Sequence, residues 1–572
     1  MKNRVSIFIV LFVFAAAALA PAPASASTSA SEAKAAAERS VFSGVEAKNV
    51  QSKSFSVGAA SAPGKTLRVD ETHARLTISG WEKNEVAAEA TVEVGDSDAA
   101  LVKEFLDNTT LTLEPEAGGL VLRLVSPMDR TGEQGTAFEK IARAIRAGRW
   151  NISFAAKIDI HVPASQALDV KNAFGNVAVS GVTGRLGVGN ESGEVRVESC
   201  GGELSLRNTF GAVTVLDFKG PADISDESGE VRVENVEGRV GIRNSFKDVR
   251  FRKIGGALTV TSQSAGVSGS DVAGDCHISS SFNEIDVRGV AGRLEVKGES
   301  AGVTVDDVRK DVVIDSSFKP VRVTKVGGGL RLTSQSAPVT VEGVEGDAQV
   351  KGSFQTIDVT GVKGRLTVDG ESSAVAAKHI GGDAEIKSSF KDITVDDIAG
   401  SLVVTAQTAK VVVSDVARDA SITTSFKGIE ARRIGGGLTV SGESASVLAE
   451  DIGGPVDIKN SFKNVVLRRT SGSIKIRGES SAVDVGQVKS LPAGSVIEIK
   501  NSFNPITLAL PAGTSIQGTA KTQFGRIRCD FPVSLKDTGG EGEKSVSFES
   551  SEPGVTLKLE GSADITITKD KG

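Results

Sequence analysis

Residues 281–298 read SFNEIDVRGVAGRLEVKG, and residues 299–316 read ESAGVTVDDVRKDVVIDS. Counted from slot 1, both blocks of 18 put aliphatic residues in slots 5, 7, 10, 14 and 16. In the first these are Ile285, Val287, Val290, Leu294 and Val296; in the second, Val303, Val305, Val308, Val312 and Ile314. Slots 5 and 7, and again 14 and 16, show the i, i+2 alternation of a strand with one buried face. Glycines at slots 11 and 12, as in Gly255-Gly256 and Gly381-Gly382, permit a sharp turn between the strands. Asn172, Asn208, Asn244, Asn460 and Asn501 mark the other corner, where a left-handed backbone is tolerable. One such coil cannot bury its own apolar face. Stacking the next coil on it closes the hydrogen bonds and continues the core.

The two blocks differ at slot 2, so the full repeat is 36 residues. Phe174, Phe210, Phe246, Phe282, Phe318, Phe354, Phe390, Phe426 and Phe462 recur at that spacing. Halfway between them fall pairs such as Glu191-Ser192, Glu299-Ser300, Gln335-Ser336 and Gln407-Thr408. Residues 173–478 number 306, or 17 coils of 18. Two looser coils follow, because an insertion within 488–496 moves the next ring to Phe503. The expected fold is all-β: a single-stranded β-solenoid, or β-helix, of 18-residue coils in 36-residue repeats with a cap at each end. At ~4.8 Å per coil, 19 coils would span roughly 90 Å. A propeller with 36-residue blades ranks lower, because the two half-units share one apolar template. The Phe/Ser alternation at slot 2 is expected to fill the core, large over small, without overpacking.

Around the array at 166–510, residues 45–165 read as an N-terminal cap and 511–572 as a C-terminal one. The first contains strands at 66–69 and 74–79 and helix-like stretches at 98–107 and 137–147; the second ends in a strand at 563–568. Residues 1–26 read as a secretory signal: Lys2 and Arg4, an apolar run over 5–19, then Ala24-Ser25-Ala26 before the expected cut. Ala18-Leu19-Ala20 is a second candidate cut, and an uncleaved anchor is the alternative. Residues 27–44 form an Ala/Ser-rich linker. An exported protein, with no transmembrane segment after cleavage, is therefore expected in the periplasm, at the cell surface or outside the cell. The net charge of −6 over 572 residues carries no nucleic-acid signal.

Gly298-Glu299-Ser300-Ala301-Gly302 fits the G-x-S-x-G nucleophile pattern, but it fills a repeat slot with no helix to follow. His73, His161, His277 and His379 have neither metal nor triad spacing. Cys200, Cys276 and Cys529 map to inward slots 10, 14 and 7 and are expected as buried free thiols. Slot 13 carries a charge ladder that includes Asp275, Arg293, Asp311, Asp347, Arg365, Asp383 and Asp419. Its carboxylates are too far apart for a calcium loop and are expected to form ion pairs between coils. Lys247, Lys319, Lys391, Lys427 and Lys463 make a second stripe at slot 3. No catalytic, cofactor-binding or metal residue is expected. Buried rings and the absence of tyrosine weigh against a lectin or a polysaccharide lyase.

The segments LRVDETHARLTISGW at 67–81, IDIHVP at 158–163 and LDVKNAFGNVAVSGVTG at 168–184 carry a resemblance, as do LPAGT at 510–514 and Gln523-Phe524-Gly525. The chain resembles a bacterial family of unknown function described as adhesins: β-strand-repeat proteins related to adhesin-head GIN domains. The resemblance implies an exported β-solenoid, in some cases tied to envelope stress, and carries no functional residues over. The expected function is a non-enzymatic adhesin or structural protein of the cell envelope whose partner is a protein or glycan. The alternatives are an envelope-stress binding module and, more distantly, a polysaccharide-processing β-helix.

Overall fold

A computed structural model describes residues 49–61, 64–127, 153–532, 534–535, 543–549 and 554–570. The expected signal at 1–26, the linker at 27–44 and the helical stretch at 137–147 lie outside the described residues. Each 18-residue block forms two strands that pair in parallel with the strands 18 residues on. Ile285–Val290 pairs with Val303–Val308, placing Val287 beside Val305. Leu294–Gly298 pairs with Val312–Ser317. The same register runs the length of the array, giving a parallel β-solenoid rather than a ring of blades. Slots 5, 7, 10, 14 and 16 point inward: Ile285, Val287, Val290, Leu294 and Val296 are all buried.

The corners correct two expectations. The recurrent left-handed position is slot 9; the asparagines themselves are not left-handed, and at their corner only scattered residues such as Phe318, Ser336 and Phe354 are. Asp217, Asn235, Lys253, Asp271, Asp307, His379 and Arg433 occupy slot 9 with φ between 51° and 62°. The asparagines instead point into the core at slot 18, where their amides replace the hydrogen bonds that a tight corner leaves unmade. Asn172 Nδ2 donates to Asn190 Oδ1 at 3.1 Å, and Asn190 to Asn208 likewise. At slot 12 glycine is needed for close approach: a Cβ on Gly256 would lie 2.6 Å from the backbone of the coil below.

The larger correction concerns the repeated rings. The phenylalanines at slot 2 are not core residues. Phe174 is 51% exposed, Phe318 63% and Phe390 56%. The inner corner they were expected to fill is held by small residues one coil away: Ala265, Ala301, Ala409 and Ala445, at slot 3 of the alternate coils, are fully buried. A corner that admits only a methyl inside must turn a phenyl outward.

Both ends depart from the repeat. At the N-terminus Thr66–Asp70 and Ala74–Trp81 form a first coil under Ala167–Phe174 and Val177–Ser180. Below it the chain changes direction: Glu85–Gly95 pairs antiparallel with both Ser153–Pro163 and Gln51–Ala60. The helix Ala99–Asp107, capped by Asp98 Oδ1 on the Ala100 N–H at 2.9 Å, buries Val102, Phe105 and Leu106 at this end of the core. At the C-terminus the coils are out of sequence order. Val555–Gly561 lies between Val496–Asn501 and Ile516–Thr522, and Ile565–Asp570 lies between Ile506–Pro511 and Ile527–Cys529. Lys544–Phe548 then pairs antiparallel with Ile516–Thr522, and Ser534–Leu535 antiparallel with Lys544–Phe548 in turn.

Candidate functional site: an exposed phenylalanine ladder

The residues around each ring explain why it points out. In the N-S-F and S-S-F steps the residue two before the ring is buried, and its side chain ties the corner. Asn460 donates to the Lys463 carbonyl at 2.6 Å, and Asn501 to that of Asn504. Ser280 and Ser388 donate at 2.7 Å to the slot-3 carbonyls of Ala265 and Ser373, one coil below. With the backbone anchored from inside, slot 2 faces solvent. Phe318 and Phe354 even take positive φ, 64° and 69°.

Slot 2 is one continuous column. Ser192 stands in register between Phe174 and Phe210, and Phe426 pairs with Ser444. Rings therefore recur every second coil, roughly 9–10 Å apart. The alternation survives the rearranged C-terminus. Phe524 N–H donates to the Ser562 carbonyl, so the small corner Ser562-Ala563 falls between Phe503 and Phe524 in space though not in sequence. Eleven ladder phenylalanines are exposed, from Phe174 to Phe524; the other large hydrophobics exposed among the described residues are Val50 and Val403. No ladder ring lies against another among the described residues. The lysine stripe runs beside the rings: Lys319 Nζ donates to the Phe282 carbonyl at 2.8 Å and sits 3.6 Å from Glu284, and Lys427 reaches Asp392 at 3.0 Å.

The other expected features resolve into packing. Ser300 sits in the slot-2 column, its N–H donating to the Ser281 carbonyl at 2.6 Å. No histidine partners it: His277 is 3.6 Å from Glu295, His379 is 2.7 Å from Asp397, and His161 meets Ser79 at 2.7 Å and stacks on Trp81. The slot-13 aspartates are primarily backbone acceptors. Asp275, Asp311, Asp347, Asp383 and Asp419 each take the N–H 18 residues on, at 2.7–3.0 Å. Ion pairing between coils does occur at slot 13, where Arg365 lies 3.4 Å from Asp383, but it is better developed at slot 9. Arg433 meets Asp415 at 2.5 Å; Arg469 and Lys489 converge on Asp451 and hold its carboxyl down at about 2. Cys200 and Cys276 are buried free thiols, burial pushing Cys276 up to about 12. Cys529 departs from expectation, being only half-buried where the regular coils end. No group of three or more metal-ligating side chains occurs among the described residues.

The sequence alone does not single the ladder out as a site, because a recurrent phenylalanine reads as core. A signal is present: a polar residue precedes each ring except Phe174, Lys, Asn or Gln follows eight of the eleven, and slot 2 lies outside both alternating strand patterns. Comparisons with family models, with curated proteins and with solved structures find no match.

Proposed function

We propose that the protein is a non-enzymatic, exported rod that acts in the cell envelope as an adhesive or structural element, with the phenylalanine ladder as its contact surface. The ladder is the observation that carries this reading. Monomeric soluble surfaces rarely keep so many large apolar side chains exposed in one stripe, and such stripes mark interaction sites. Its many equivalent contacts suit avidity rather than a single pocket. The basic and apolar order of residues 1–26 supports export, and the resemblance to adhesin-like β-strand-repeat proteins points the same way.

Fractionation of cells producing the native chain and a variant carrying Phe282→Ser, Phe318→Ser, Phe354→Ser and Phe390→Ser tests the reading. The native protein should start near Ser27 and sediment with envelope material, and the variant should be released. Native protein that remains cytosolic with Met1 intact, or a variant retained as fully as the native chain, would overturn it.

A further inference from the structure

We infer that the ladder is a self-association seam: two copies of this chain pair side by side, antiparallel and offset by one coil, each inserting its phenylalanines between those of the other. The inference rests on the ladder being a contact surface, and it names what the surface contacts.

The gap between rings carries the case. Aromatic rings pack with centroids ~4.5–7 Å apart. Successive ladder rings stand roughly 9–10 Å apart, too far to touch, but a ring entering the gap would lie about 5 Å from both neighbours. The first coil shows the filled state. His73 occupies the column one coil below Phe174, and the two rings stack with centroids 5.0 Å apart and planes 20° from parallel. Farther along, this alternate position holds Ser192, Ser228, Ser264, Ser300 or their equivalents, too small to fill the gap.

An occupant must supply rings at a two-coil period over roughly 95 Å, ten intervals in all. A second copy does so by construction. Closed pairing requires a two-fold axis. An axis along the rod would set ring against ring at the same level. An axis across the rod reverses the partner and, placed half a coil off a ring, sets every phenylalanine opposite a serine. The same operation sets slot-3 lysines such as Lys319 opposite corners whose slot 3 is a buried alanine such as Ala301, so large meets small there too. A half-exposed phenyl leaves about 100 Å² to cover, so eleven rings offer on the order of 1,000 Å² per copy, enough for a stable interface.

Sedimentation equilibrium of the purified exported chain separates this pairing from general stickiness. The native protein should be a dimer. Phe318→Ser, Phe354→Ser and Phe390→Ser together should give monomers with an unchanged far-ultraviolet circular dichroism spectrum. The deciding variant is Ser300→Phe, Ser336→Phe and Ser372→Phe, which fills three gaps. It should also become monomeric, because a partner's rings no longer enter. Stronger association of that variant would show a merely sticky apolar stripe and would overturn the pairing. A native chain that is monomeric but still sediments with envelope material would likewise overturn it, leaving the ladder as a contact surface for another partner.

Discussion

A phenylalanine means different things at different slots of one coil. Phe251 occupies slot 7 and is buried, and the chain makes room for it one coil later: a Cβ on Gly269 would lie 2.4 Å from its ring. The large-over-small packing expected of slot 2 is found here instead. Phe251→Ala should therefore cost ~3–5 kcal/mol locally, whereas Phe318→Ser should change stability by about 0.5 kcal/mol or less. Hydrogen exchange over residues 240–280 and 300–336 distinguishes the two; equal deprotection would contradict the exposed ladder. Asp226 is the second residue-scale anomaly, a carboxyl among the inward asparagines. Burial raises its pKa to about 6, against an opposing hydrogen bond from the Gly229 N–H. Between the ordinary aspartate value and about 6 the folded chain holds a proton that the unfolded chain releases. Stability should therefore fall as pH rises through that window and level off above it. Asp226→Asn should remove that slope and add about 1 kcal/mol at neutral pH. Thermal melts at pH 4 to 8 showing the same slope in both proteins would refute the assignment.

At the scale of the element, the sequence reports inward strand positions well and corners poorly. Valine and isoleucine at slots 5, 7, 10, 14 and 16 carry a two-residue period that only a half-buried strand explains. A corner carries no such two-residue alternation. Slot 9 accepts Asp, Asn, Lys, Arg and His alike in a left-handed conformation, because neighbouring coils fix the backbone there. Slot 9 does carry a mark, since Gly, Asp and Asn recur there, as at Gly181, Asp217, Asn235, Asp271, Gly289 and Asp307, but Lys253, His379 and Arg433 interrupt it; the more conspicuous asparagines of slot 18 serve the interior. The C-terminal order was hidden for a related reason: nothing in residues 554–570 states which strands they separate. Their position makes a sharp expectation. Removing residues 554–572 takes away the inner partner of Ile516–Thr522 and the upper partner of Val496–Asn501. Open edges of this kind pair with other chains. The truncated protein should aggregate on size exclusion and lose exchange protection over 496–529 while residues 281–352 keep theirs. A soluble product with residues 516–522 still protected would show that the inserted coil is dispensable.

Across the whole molecule two periods are superimposed, 18 residues for the core and 36 for the exposed rings, and deletions can separate them. Removing residues 281–352 takes out four coils and two rings, Phe282 and Phe318, and joins Ser280 to Ser353 with both periods intact. Removing residues 281–298 takes out one coil and one ring. The core register survives, but two serine coils become neighbours, and every later ring falls one coil out of phase with the earlier ones. If the surface acted only through its apolar area, the smaller deletion would be the milder. If contact depends on rings spaced two coils apart along an unbroken column, the smaller deletion should be the more damaging. It divides the ladder into two shorter runs that no single partner rod can engage together, whereas the larger deletion leaves one continuous run. Multivalent contact falls steeply when geometry forbids simultaneous engagement and only gradually when the array is shortened. Envelope sedimentation and dimer dissociation measured for both deletions, with far-ultraviolet circular dichroism confirming that each remains a folded solenoid, decide between these outcomes. Weaker binding by the 72-residue deletion than by the 18-residue one would mean that area, not phase, governs the ladder.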